Sequence, residues 1–155
     1  MAVLVIAGTV FYIVHVRNGT IKDNTGRILE IRDTNSGKIY KRLYMNDGSE
    51  FAIEFIHSVH NSPVRETFRI EDTVIRPMEV RFSSFGAGMQ SDMEEGLKLS
   101  QDGDTLIISG FSRSFSQMNY IVGTVSDHLL FFDEATFSLR ELCGRNTHIT
   151  IGITK

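Results

Sequence analysis

The chain contains 155 residues with a mass of 17.5 kDa, which is the length of one domain that can bury a substantial core. Its 16 Lys and Arg against 19 Asp and Glu leave a formal charge of −3, which excludes binding of nucleic acid through overall positive charge. The hydrophobic content of 41% excludes a fully disordered chain. The lone Cys143 excludes an intrachain disulfide and a zinc site with two or more thiolates.

The chain begins with an apolar segment. Residues 2–14 carry no charged side chain, and Arg17 is the first Lys or Arg. As a helix, residues 1–16 would extend about 24 Å, which is shorter than roughly 30 Å of hydrocarbon but compatible with local thinning of the bilayer. No basic residue precedes the run, and no obvious cleavage site of small residues follows it. We expect residues 1–17 to be an uncleaved or barely cleaved membrane anchor or signal-like segment; the alternative is a long buried strand, because Val, Ile, Thr, Phe and Tyr favour sheets.

Beyond a short linker over residues 18–26, the hydrophobic pattern of residues 27–155 has period two and not 3.6. Turn signals such as Asn46-Asp47-Gly48 separate the runs. We predict strands over residues 28–31, 39–44, 51–56, 64–70, 74–82, 106–109, 120–125, 128–132, 137–142 and 148–153. Residues 91–99 form the best helical candidate in this region. The pattern predicts an all-β domain, an antiparallel sandwich or barrel-like fold, preceded by the N-terminal hydrophobic helix.

A predicted hairpin around residues 58–63 places His57 and Glu66 on the same apolar face. If its loop covers these six positions, His57 pairs with Val64, and Phe55 pairs with Glu66. His57 and Glu66 are then diagonal neighbours about 7 Å apart. Because a carboxylate on an apolar face is costly unless it is paired, we predict either a buried His–Glu pair that fixes the hairpin or a pair that binds or transforms a ligand.

Two other segments carry candidate site residues. Residues 82–88 follow a predicted strand, and Gly86 and Gly88 would let backbone N–H groups converge on an anion or a carbonyl; a tight turn is the alternative. His128 lies where one strand turns into the next. His57, Glu66 and His128 would suit a metal site of two histidines and one carboxylate, and Ser58, His128 and Glu66 would suit a nucleophilic triad. Neither arrangement has the local signature of a known class.

Together, these segments resemble the domain-of-unknown-function family 1850, whose members are small bacterial and archaeal proteins of about this length. The resemblance rests on an ordered series that covers roughly residues 27–153. The series is Phe55-Ile56-His57-Ser58-Val59, Pro63-Val64-Arg65-Glu66, Phe82-Ser83-Ser84-Phe85-Gly86-Ala87-Gly88-Met89, and Val122-Gly123 through Asp127-His128. The chain departs from the family pattern at Gln90, where a Pro is expected, and at Ser126, where many members have Ala.

The resemblance implies a setting and no activity or cofactor. Members are typically encoded beside TRAP transporters of the TAXI subtype, and they usually carry an N-terminal hydrophobic segment and an exported domain. It therefore implies a single-pass protein of the cell membrane with its C-terminal domain outside the cytoplasm. Its partners would be transporter subunits, either the solute-binding protein or the membrane subunit. Carried over position by position, the motif residues are His57, Ser58, Pro63, Glu66, Phe85, Gly86, Gly88 and His128.

From the residues and the resemblance together, we expect an accessory domain of such a transporter that binds through His57, Ser58, Glu66, Phe85, Gly86, Gly88 and His128. We expect no cofactor and no nucleic acid. The alternatives are an exported metal-binding or hydrolytic protein that uses the His/Glu/His cluster, and a structural domain without a ligand.

Overall fold

The computed structural model describes residues 26–57, 61–83 and 96–154, which contain eleven β-strands and one short helix. In chain order the elements are β1 Arg27–Asp33, β2 Ile39–Met45, β3 Glu50–Ile56, β4 Pro63–Glu71, β5 Val74–Phe82, β6 Lys98–Asp102, β7 Thr105–Ser109, β8 Gln117–Ile121, β9 His128–Phe132, β10 Ala135–Ser138, α1 Leu139–Cys143 and β11 His148–Thr154.

The strands form two antiparallel sheets. A four-stranded sheet has the order β2-β1-β11-β8, and a seven-stranded sheet has the order β10-β9-β3-β4-β5-β7-β6. Alternate residues of both sheets point into one core, which explains the period-two pattern of the sequence. The fully buried members include Leu29, Ile31, Ile149 and Ile151 from the smaller sheet and Ile53, Ile70, Ile75 and Leu130 from the larger one. The predicted all-β antiparallel fold is confirmed, and it is a two-sheet sandwich.

Three predictions of local structure are wrong. Residues 120–125 were expected to form a strand, but β8 ends at Ile121. Residues 137–142 were expected to form a strand, but β10 ends at Ser138 and α1 begins at Leu139. The Ser138 hydroxyl accepts a hydrogen bond from the Glu141 N–H at 3.0 Å and so caps the helix. The helix expected over residues 91–99 is contradicted at its end, because Lys98 and Leu99 lie in β6. Residues 91–95 lie outside the described residues.

The predicted N-terminal anchor over residues 1–17 also lies outside the described residues. Within the described part of the chain, no helix has the length and apolar character needed to cross a bilayer.

Candidate functional site

The seven-stranded sheet brings distant motif residues to one of its ends. Phe55 of β3 lies opposite Val64 of β4 and His128 of β9, and Val64 also lies opposite Phe82 of β5. His57 follows β3 at this end, and its N–H donates to the carbonyl oxygen of Ser62 at 2.9 Å. We call this region, formed by His57, Val64, Phe82 and His128, the motif end. Ser58, Phe85, Gly86 and Gly88 lie outside the described residues.

The predicted pairing of His57 with Glu66 is wrong because the β3–β4 loop is shorter than expected. His57 lies opposite Ser62, so the hairpin closes over residues 58–61. The register then places Ile53, and not Phe55, opposite Glu66. His57 is four residues further along β3, about 13 Å from the position that faces Glu66.

Glu66 instead pairs with a tyrosine of the other sheet. The Tyr120 hydroxyl of β8 donates to the Glu66 Oε2 atom at 2.8 Å, which joins two residues 54 positions apart. Within its own sheet, Glu66 lies between Ile53 and Val80, so its cross-strand neighbours are apolar. Burial raises the pKa of Glu66, and the Tyr120 hydrogen bond offsets part of this increase. Burial and the neighbouring Glu66 raise the pKa of Tyr120, so the phenol keeps its proton and remains a donor.

His128 extends this contact toward the edge of the sheet. Its ring stacks on Phe55 with 5.1 Å between ring centroids and meets Tyr120 edge to face at 6.1 Å. The Gly123 N–H donates to His128 Nδ1 at 3.3 Å. Burial lowers the pKa of His128 and so favours the neutral ring. Because Nδ1 accepts from Gly123, the neutral ring carries its proton on Nε2. We refer to Glu66, Tyr120 and His128 as the polar cluster.

The loop that precedes β9, residues 122–127, holds His128 in position. The Asp127 carboxylate accepts hydrogen bonds from the Ser138 hydroxyl at 2.5 Å and from the Arg140 N–H at 3.0 Å, so it anchors the start of α1. A Cβ atom at Gly123 would lie 2.1 Å from the Ser126 carbonyl oxygen, which only glycine permits. In the Asp127-His128 motif, the first residue therefore holds the helix and the second joins the polar cluster.

The side chains of the polar cluster are not arranged as a set of metal ligands in the described part of the chain. Among the described residues, no group of three or more His, Cys, Asp and Glu side chains is placed to hold a metal ion. His57, Glu66 and His128 therefore do not form the metal site considered from the sequence. The alternative triad requires Ser58, which lies outside the described residues. The cluster instead combines a neutral imidazole, a phenol and a carboxyl of raised pKa among apolar side chains.

Tyr120 is the member of the cluster that the sequence analysis missed. It lies in a run where Met118, Tyr120 and Val122 alternate with polar or exposed residues. That alternation indicates that the Tyr120 ring faces the core, where its hydroxyl needs a partner. No local signal shows that this partner lies in the other sheet.

The comparison with protein families decides what kind of domain this is. The model of a domain of unknown function, DUF1850, matches residues 51–139, which is more than half of the chain. The chain belongs to the DUF1850 family. The DUF1850 match extends from β3 to the start of α1, so it includes nearly all of the seven-stranded sheet and β8, which carries Tyr120. No curated protein and no solved structure matches the chain.

Proposed function

We propose that this DUF1850 protein is a membrane-tethered, extracytoplasmic accessory domain of a TAXI-type TRAP transporter that contacts a transporter subunit through the motif end. The observation that carries the proposal is the convergence of motif residues. His57 and His128 come from separate segments of the chain and lie at one end of the seven-stranded sheet, and Glu66 lies one row of same-face residues further in.

The acceptor atoms of two cluster residues are engaged by partners within the domain. Glu66 Oε2 accepts from Tyr120, and His128 Nδ1 accepts from the backbone of Gly123. Both groups are thus fixed by the fold, as the side chains of a rigid recognition surface are.

Exposed apolar side chains around the loop of residues 122–128 favour a protein partner. Val125 in this loop is 94% exposed, and Ile121 just before it is 53% exposed. Ile56, 40% exposed, adjoins the same loop because its N–H donates to Ser126 Oγ at 3.1 Å. Apolar residues on a hydrogen-bonded, preorganised loop are typical of a protein interface.

The membrane tether is supported by the sequence alone. Residues 2–14 are uncharged and apolar, and residues 18–26 provide a short linker before β1. A C-terminal alkaline phosphatase fusion tests the topology, since this enzyme is active only outside the cytoplasm. High phosphatase activity is expected in the full-length fusion, and an inactive, cytoplasmic fusion would contradict the proposal.

The partner is tested by co-purification of the full-length protein from native membranes in mild detergent, with identification of the captured proteins. We expect TRAP transporter subunits with the natural sequence, and at least tenfold less of them with Val125→Asp. Tyr44→Asp is the matched control, because Tyr44 is 76% exposed and lies on β2 of the other sheet. Both variants should unfold within about 0.5 kcal/mol of the natural protein.

Capture of no transporter subunit by the natural protein would refute the proposed partner. Equal capture by Val125→Asp and Tyr44→Asp would refute the motif end as the contact surface.

A further inference from the structure

The loop of residues 122–128 is fastened to the sandwich by the backbone of Val122, by the side chains of Ser126 and Asp127, and by His128. Of these groups, His128 is the one whose side-chain type titrates between pH 5 and pH 8. We propose that this loop is an acid-released latch, in which protonation of His128 at Nδ1 breaks its hydrogen bond with Gly123 and loosens the part of the loop that carries Val125. In the closed loop, Gly123 N–H and His128 Nδ1 are 3.3 Å apart. The proton comes from solvent, and no covalent bond other than the new N–H bond is made or broken.

Protonation cannot be accommodated in the closed geometry. An imidazole nitrogen that carries a proton is a donor and no longer an acceptor. The Gly123 N–H would then face another N–H, and a part-buried donor without an acceptor costs about 1–3 kcal/mol. The backbone around Gly123 is tightly packed, because a Cβ atom there would lie 2.1 Å from the Ser126 carbonyl oxygen, so a shift of Gly123 displaces Ser126 as well. This part of the loop must therefore shift to give Gly123 a new partner.

The groups around His128 also oppose a second positive charge. The ring contacts Tyr120 of β8, and Glu66 of β4 lies beyond Tyr120. Asp127 of the loop and Arg140 of α1 are the charged groups that act on the ring. The Arg140 guanidinium donates to the Gly123 carbonyl oxygen at 3.3 Å, so a cation already holds the same glycine. Asp127 favours the imidazolium, but its carboxylate is engaged by Ser138 and Arg140. The burial of the ring, together with the positive charge of Arg140, outweighs the effect of Asp127 and lowers the pKa of His128.

Release of the loop would alter the proposed contact surface. Ser126 Oγ accepts the Ile56 N–H at the end of β3, and Val125 is the most exposed large apolar residue of the described chain. Both positions move with Gly123. This use of the latch rests on the proposed function, whereas the latch itself is a property of the chain without any transporter.

The latch is measured in the full-length ¹⁵N,¹³C-labelled protein in detergent micelles between pH 8 and pH 5. We expect the Gly123 amide signal to shift with the same midpoint as the His128 ring. Hydrogen exchange, corrected for its intrinsic pH dependence, gives the ratio of open to closed loop for residues 123–127. We expect this ratio to rise about tenfold for each pH unit below about 6.5. If the chemical shift of the Gly123 amide does not change as His128 titrates, the proposal is overturned.

His128→Asn supplies the decisive variant, because the Asn carbonyl oxygen can occupy the position of Nδ1 without titrating. Its loop protection should be independent of pH over this range. His148→Gln is the control, since His148 is an exposed histidine of β11, and the variant should keep the full pH response. A pH response that persists in His128→Asn would refute the latch. Because no transporter is present, either result is independent of whether the partner was identified correctly.

Discussion

Glu66 occupies a position where every cross-strand neighbour is apolar. The registers place Leu130, Ile53, Val80 and Ile108 in its row of the seven-stranded sheet. A carboxyl there binds its proton more tightly in the folded chain than in the unfolded one, because burial raises its pKa above 4.5. Its contribution to stability is therefore complete below pH 4.5 and is lost as the pH rises through the folded pKa.

Replacing Glu66 by Gln should stabilise the protein at pH 7. The Gln amide oxygen can still accept from Tyr120, and no charge is buried. We expect the free energy of unfolding to increase by about 1 kcal/mol at pH 7. The loss of stability as the pH rises above 4.5 should be smaller than in the natural protein. Urea denaturation at pH 4, 5.5 and 7 measures both effects. Glu54→Gln, on the outer face of β3, should change stability by less than about 0.5 kcal/mol.

The contact between Glu66 and Tyr120 can be measured separately by a double-mutant cycle. Tyr120→Phe removes the donor and should destabilise the protein by about 1–3 kcal/mol. Combining it with Glu66→Leu, which removes the acceptor of this hydrogen bond, should reveal a coupling of at least about 0.5 kcal/mol. Additive effects of the two substitutions would show that the hydrogen bond between the sheets contributes nothing.

At the level of elements, α1 depends on residues outside itself. It contains five residues, which is too few for a helix to be stable alone in water. Its first turn is held by Ser138 and by Asp127 from the preceding loop. A pattern read along residues 137–142 could not reveal this, because Asp127 is distant in sequence and the apolar residues also fit a strand.

Asp127→Ala should therefore destabilise the protein by about 1–2 kcal/mol through loss of these hydrogen bonds at the start of the helix. Chemical denaturation with circular dichroism detection measures the change. Glu141→Ala is the matched control on the exposed side of α1 and should alter stability by less than about 0.5 kcal/mol. Equal effects of the two substitutions would contradict the anchoring role of Asp127.

Hairpin partners were easier to predict than hairpin register. β3 and β4 were recognised from alternation and from the turn between them. Because the loop is two residues shorter than assumed, the residue opposite Glu66 is Ile53 and not Phe55. The face of each strand survived this error because the shift was an even number of residues. The residue opposite Glu66 was predicted incorrectly, and for this reason the predicted His57–Glu66 pair does not form.

For the whole molecule, period-two alternation was sufficient to predict an all-β sandwich but not the division into two sheets. β8 follows β7 in sequence, yet it pairs with β11 of the other sheet. The contact between Glu66 and Tyr120 exists only because of this change of sheet, so no local pattern could predict it. His128 was identified because a recognisable motif marks it, whereas Tyr120 has no such mark.

The central position of β11 predicts a large effect of substitution at its core residue. Ile151 is fully buried and lies opposite Ile31 of β1 and Met118 of β8. Ile151→Ala should destabilise the protein by about 2–5 kcal/mol. Ile121→Ala, at an exposed position of the adjacent strand, should cost less than about 0.5 kcal/mol. Thermal and urea unfolding of both variants would show whether β11 is as central as its neighbours indicate.

The pairing of β1 with β11 also sets the order in which the chain can fold. Ile31 and Ile151 lie about 120 positions apart, yet they are directly opposite each other. Until β11 emerges from the ribosome, β8 and β1 have no strand between them, and the smaller sheet cannot close over the core. Contacts of such long range slow folding. The smaller sheet of a nascent chain therefore stays open until β11 has been synthesised, so a chain stalled before His148 is expected to lack its protection from proteases.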